Sequence, residues 1–165
     1  MLPKLFDNWH KNMLRPCKKT DYFSKEDLDD FIKQGISKEY LDSISITLHE
    51  ADEILRKLGI SSESIFYEFY KKFKNTGSEL YNLEEILENY QNPHPLYAQY
   101  PQIGKRYLQI SSAEGEHSYF YDKETDAVYS VDWSQLDDLN AGKLKPMFNS
   151  FYDFLEWYYT EDEES

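Results

Sequence analysis

The residues that most often carry chemistry are thinly spread in this chain. The four histidines, His10, His49, His94 and His117, stand far apart, and no two are separated as metal ligands are. His49-Glu50-Ala-Asp-Glu53 opens like a zinc-protease helix, but such a helix carries a second histidine one turn on. Here Glu53 takes that position, so a surface or capping role is expected for His49. His117 falls in a strand pattern, where a lone histidine is more often structural than catalytic. Gly104-Lys105 has no glycine-rich loop before it and no Ser or Thr after it, which rules out a phosphate loop. Cys17 is the single thiol and has no recognisable partner base. Asp122-Lys-Glu-Thr-Asp126 lacks the glycine and terminal glutamate of a calcium loop, and a polar hairpin turn accounts for it. The many acids after residue 80 show no spacing that sets two at a hydrolytic separation. No catalytic residue, metal site or cofactor is expected. An enzyme would need a deep pocket that brings paired acids beside His117.

What remains is surface chemistry. The net charge is −13 and unevenly placed. Residues 1–48 are neutral and residues 49–111 carry −2, whereas residues 112–165 carry −11 from fourteen acids and three bases. Nucleic-acid binding draws on Lys and Arg to release counterions, so direct nucleic-acid binding is not expected. An acidic surface favours solubility, and it also speeds encounter with basic partners. Five acids, Glu114, Glu116, Asp122, Glu124 and Asp126, lie in two short connections, and Asp132, Asp137 and Asp138 follow them. Tyr119, Tyr121, Tyr129 and Trp133 are interleaved among these acids. Tyr and Trp dominate binding hot spots, so these twelve residues are the candidate partner-binding set. Strand alternation should send about half of the aromatics inward.

The elements that must position them are legible. Ser24 is a candidate cap for a helix carrying Leu28, Phe31 and Ile32, stopped by Gly35. Ser37 opens a second short helix through Tyr40 and Leu41. Residues 47–58 show a 3,4-spaced stripe of Leu48, Ala51, Ile54, Leu55 and Leu58, ended by Gly59. Ser62 is the expected cap of the next helix, which bears Ile65, Phe66, Phe69, Tyr70 and Phe73. Asn82-Leu-Glu-Glu85 resembles a capping box ahead of Ile86, Leu87 and Tyr90. After the break at Asn92-Pro-His-Pro95 the period changes to that of strands at 106–111, 117–122 and 127–132. Their short connections imply antiparallel neighbours. Residues 133–140 suit a loop or one helical turn. Ser150 caps a last helix with Phe151, Phe154, Leu155 and Tyr158 on one face. The expected fold is α+β: an antiparallel meander with helices packed on one side, preceded by an N-terminal helical extension. The divisions are 1–47 for the extension, 48–160 for the α+β domain and 161–165 for an acidic tail.

The single cysteine points to a reducing compartment. The N-terminus lacks an apolar signal core, and no window makes an uninterrupted apolar span, so a cytoplasmic location without membrane contact is expected.

Tyr107-Leu-Gln-Ile-Ser111, Tyr119-Phe-Tyr-Asp122, Ala127-Val-Tyr-Ser130 and the closing run from Phe148 to Tyr159 together resemble the SUKH superfamily. Its domains show a strand, an aspartate-bearing turn, a third strand reading Val-Tyr and a closing Asn-Ser-Phe-x-x-Phe-Leu helix. The helix ending at Gly59 and the aromatic helix after it resemble the family's N-terminal half. The likeness covers about residues 48–160. Asn92-Pro-His-Pro95 and Pro101 stand where many members have a glycine-rich stretch. The resemblance implies an α+β domain without catalytic residues. In bacteria it implies an immunity protein that binds and neutralises a cognate polymorphic toxin, often a basic nuclease. A scaffold or regulatory interaction module without a toxin is the alternative. The sequence does not set the oligomeric state.

Overall fold

A computed structural model of the chain describes residues 1–8, 13–15, 24–37, 39–40, 48–112 and 117–161. Helix α1 spans Lys25–Lys33, and the Ser24 hydroxyl accepts the Asp27 N–H at 3.1 Å. It buries no residue fully, and Ile32 is largely exposed. The Ser37 hydroxyl accepts the Tyr40 N–H at 3.1 Å, as a cap there requires, while Leu41 lies outside the described residues. Helix α2 (Leu48–Lys57) sinks Ala51 and Leu55 into the core. Gly59 ends it at φ +77°, a left-handed conformation that side chains resist.

Helix α3 spans Ile65–Lys72 and buries Phe66, Tyr67, Phe69 and Tyr70. Its cap is Ser64 rather than the expected Ser62, and the Ser64 hydroxyl accepts the Tyr67 N–H at 3.1 Å. The chain first turns through 61–64, with the Ser64 N–H and hydroxyl both donating to the Ser61 carbonyl, which delays the helix by a half turn. Helix α4 (Leu83–Gln91) opens with the Glu85 carboxylate accepting the Asn82 N–H at 3.0 Å. Beyond Pro93 come a 3-10 turn at Pro95–Gln99 and a kinked turn at Gln102–Lys105.

Strands β1 (Tyr107–Gln109), β2 (Ser118–Asp122) and β3 (Val128–Val131) form an antiparallel meander in the order β1-β2-β3. Leu108 opposes Tyr121, which opposes Val128; Gln109 opposes Phe120, which opposes Tyr129. Because side chains alternate, the first trio faces one side of the sheet and the second trio the other. Both sheet edges meet irregular chain: the Tyr81 N–H donates to the Ile110 carbonyl, and the Met147 and Phe148 N–H groups donate to Val128. Those contacts blunt the edges against pairing with another chain. A 3-10 turn at Trp133–Gln135 leads into α5 (Leu136–Asn140), where a loop or one helical turn was expected. Helix α6 (Phe151–Glu161) closes the chain, with the Ser150 hydroxyl accepting the Asp153 N–H at 3.1 Å.

The fold is therefore α+β. Helices α2, α3, α4 and α6 cover one face of the sheet, where Leu108, Ile110, Tyr121 and Val128 join Leu55, Phe66, Phe69, Ile86, Phe151 and Phe154. The opposite face is also covered, by the 3-10 turn and α5. Tyr97, Leu136 and Leu139 pack there on Tyr107, Phe120, Tyr129 and Val131. The segment set apart as an N-terminal extension contributes Leu2 and Phe6 to the main core. Phe6 sits 5.5 Å from Phe69 and 5.2 Å from Tyr159. Arg15 is buried as well, donating Nε to the Tyr70 carbonyl at 2.9 Å and Nη1 to Glu84 at 2.8 Å. Pro16, Lys18 and Lys19 lie outside the described residues.

Candidate functional site

The end of β2 and the turn after it carry four of the predicted residues, Tyr121, Asp122, Glu124 and Asp126, and all but Glu124 are structural. Asp122 has no solvent exposure. Its Oδ1 accepts Arg106 Nε at 3.1 Å and the Glu124 N–H at 2.9 Å, while its Oδ2 accepts Arg106 Nη2 at 3.0 Å and the Thr125 hydroxyl at 2.8 Å. Burial alone would raise its pKa, but these hydrogen bonds from Arg106, Thr125 and Glu124 together hold it below the usual carboxylate range. The bond to Asp122 likewise pushes the Arg106 guanidinium upward, against desolvation. Asp126 takes a left-handed φ of +71°, which aspartate tolerates in turns. Its carboxylate accepts the Tyr121 hydroxyl at 2.7 Å and the Phe151 N–H at 3.3 Å. It therefore places negative charge at the N-terminus of α6, where the helix dipole favours it. Tyr121 is buried, stacked on Phe66 at 4.2 Å, and burial first and Asp126 second push its hydroxyl well above its ordinary value.

The candidate set is corrected accordingly. Tyr121, Asp122 and Tyr129 are buried and present no surface to a partner. Tyr119 is half-buried, its ring 5.1 Å from Phe154 of α6. Asp126 is spent on its two internal bonds. Of the candidate residues in this turn Glu124 is the exposed one, and it reaches back to Arg106 at 3.3 Å. Glu114 and Glu116 lie outside the described residues.

The other predicted residues cluster where α5 begins. The Asp132 carboxylate caps the turn, accepting the Ser134 N–H at 2.6 Å and the Ser134 hydroxyl at 3.1 Å, and the backbone bond foremost holds its pKa low. Trp133 is 41% exposed, although it is one of the largest apolar side chains in the chain. Its ring stacks on Tyr97 at 5.8 Å and lies 5.6 Å from His94. The stack holds the indole against a rigid base, because Tyr97 is 4% exposed and packs edge-on to Phe120. Burial, with a smaller contribution from Tyr81, pushes the Tyr97 hydroxyl up to about 12. Asp137 and Asp138 are exposed on α5, and Asp137 pairs with the Tyr100 hydroxyl. The structure thus brings Asp132, Trp133, Asp137 and Asp138 to one region and adds His94 and Tyr97. The proline break at 92–95 hid those two, since nothing in its sequence told that the turn after it folds back over the sheet.

An open groove of about 730 Å3 lies at the end of the sheet where β2 begins and β3 ends, with Glu79, Glu85, His117, Tyr119 and Tyr158 among its walls. The Glu85 carboxylate there is engaged as the cap of α4. Among the described residues, no group of three or more His, Cys, Asp or Glu is placed to hold a metal ion, and no helix is long and apolar enough to cross a membrane. No family model, curated protein or solved structure matches the chain.

Proposed function

We propose that the chain is an immunity protein, which binds and neutralises a cognate bacterial polymorphic toxin of the nuclease type through a stoichiometric protein–protein contact in the cytoplasm. The observation that carries this is Trp133, an exposed indole stacked on a buried ring, with Asp132, Asp137 and Asp138 within five residues of it in the chain. A hot spot needs a large, pre-positioned aromatic anchor, and Trp133 is held by its neighbours before any partner arrives. The surrounding acids would steer a basic toxin and speed its association. The resemblance of residues 48–160 to the SUKH superfamily supports the same partner class.

The test is calorimetric titration of the chain against the toxin domain encoded by the adjacent gene. One-to-one binding is expected, and Trp133→Ala should weaken it by about 2 kcal/mol or more, roughly 30-fold. Association should slow as salt rises, because exposed charges are screened. Absence of binding at micromolar concentration would refute the proposal.

The groove beside His117 favours a second function, small-ligand binding or hydrolysis. Glu79, Glu85 and His117 stand among its walls, with Glu85 committed to capping α4. Turnover lost in His117→Ala, with toxin binding absent, would favour it.

A further inference from the structure

The groove at the start of β2 is assembled from several elements around one backbone contact. Leu80 bridges to Ser111 just past β1, and both are buried parts of its lining. The turn before α4 brings Glu79. Its shape is set by the Ser78 hydroxyl, which accepts the Leu80 N–H at 3.2 Å and donates to the Thr76 hydroxyl at 3.3 Å. The start of α4 brings Glu85, whose carboxylate is fixed by accepting the Asn82 N–H. Strand β2 brings Tyr119 and α6 brings Tyr158, with ring centroids 6.1 Å apart and planes at 89°. Tyr81 adds a third ring. Glu79 is exposed, and the described residues of the lining include neither Lys nor Arg. The groove also adjoins the Trp133 region. The β2–β3 register pairs Ser118 with Val131, so His117 and Asp132 are the next residues outward on their strands. His117 lies near enough to add to the lowering of the Asp132 pKa that the Ser134 N–H begins.

We infer that this groove receives an arginine side chain of the toxin, its guanidinium held by the tyrosine rings and the carboxylates of Glu79 and Glu85. The inference rests on the proposed function for the source of the arginine. Two observations select the occupant. The lining carries two carboxylates and no Lys or Arg among the described residues, which favours a cation over an anion. Three tyrosines stand with those carboxylates, and a guanidinium is the cation that both stacks on aromatic faces and donates to carboxylates in a planar fork. A lysine ammonium is more strongly hydrated and offers no flat face to the rings. The groove, at about 730 Å3, holds such a side chain together with the backbone that carries it. The neighbourhood of His117 and Asp132 links the groove to the Trp133 anchor, so one partner wrapped around this end of the sheet reaches both.

The test starts with a small probe added to the full chain. N-acetyl-arginine amide should shift the ring resonances of Tyr119 and Tyr158 and saturate in the millimolar range. N-acetyl-citrulline amide, of the same shape but uncharged, should not. Glu79→Gln, a substitution at an exposed position, should weaken the probe's binding and leave the circular dichroism unchanged. Titration of the adjacent-gene toxin domain should then show about tenfold weaker binding for Glu79→Gln, and a larger loss for Glu79→Lys. Equal shifts from the two probes, or none from either, would overturn the inference whatever the toxin does. If the probes differ but both Glu79 variants bind the toxin domain as wild type does, the toxin does not fill the groove, and the inference is overturned while the immunity function stands. If wild type itself does not bind the toxin domain, the proposed function falls and the toxin as source of the arginine falls with it.

Discussion

Replacing Asp122 by alanine is expected to destabilise the fold by about 3–5 kcal/mol, the cost of breaking a buried ion pair by removing one partner. The carboxylate is wholly buried and is the common acceptor for Arg106, the Glu124 N–H and the Thr125 hydroxyl. Its loss would leave the part-buried Arg106 with Glu124 as its carboxylate partner among the described residues, and it would free the turn that sets the β2–β3 register. Asp122→Asn keeps the shape and one acceptor oxygen, so it should cost less. A pH signature separates charge from shape. The folded-state pKa of Asp122 is depressed, so its stabilisation is complete above the unfolded carboxylate value and is lost as pH falls through the lower folded value. Wild-type stability should therefore fall on acidification, and Asp122→Asn should lose part of that acid limb. Urea unfolding of the three proteins at neutral and acid pH is the measurement. Equal stability of Asp122→Ala and wild type at neutral pH would contradict the structural role assigned to the turn.

Phe66→Ala should be as damaging, at about 3–5 kcal/mol for a large-to-small change in a packed core. Phe66 has no exposure and joins three elements: its ring lies 4.2 Å from Tyr121 of β2, 4.7 Å from Tyr70 of α3 and 4.9 Å from Phe151 of α6. Neighbouring rings this stiff cannot collapse into the space, so the cavity term should be near its upper range. Denaturant unfolding should show a lower midpoint with an unchanged slope. A shift under 1 kcal/mol would mean that the aromatic cluster repacks freely, contrary to its close ring geometry.

These two residues show what the sequence makes legible and what it does not. Phe66 was readable, because a bulky residue on a 3,4-spaced stripe faces a core whatever the tertiary details. So were the caps at Ser24, Ser150 and Asn82-Glu85, which act through local backbone geometry. Asp122 and Glu124 were not separable. They stand two residues apart in one polar turn, yet one is buried and multiply bonded and the other is exposed. Asp122 is held inward by the Glu124 N–H and the Thr125 hydroxyl within the turn and by the distant Arg106, and sequence does not display that last pairing.

The same limit governs the binding set. Alternation sends Tyr119 and Tyr121 to one face of the sheet and Phe120 and Tyr129 to the other. Either face counts as surface only if nothing covers it, and the second face is covered by Tyr97, Leu136 and Leu139. The stretch 95–105 is rich in Pro, Gln and Tyr and carries no helical or strand period, so its role as a lid over that face is invisible until the chain is folded. Leu2, Phe6 and Arg15 illustrate the matching case at the N-terminus. They are too few and too irregularly spaced to signal burial, yet long-range packing places them in or against the main core.

The central claim is neutralisation by a stoichiometric contact, and the most direct measurement is the activity of the adjacent-gene toxin domain as the purified chain is titrated into it. The account predicts a loss of nuclease activity that is complete near one molar equivalent for wild type, and requires a marked excess for Trp133→Ala. Undiminished toxin activity at a severalfold excess of wild type, at micromolar concentrations, would contradict it.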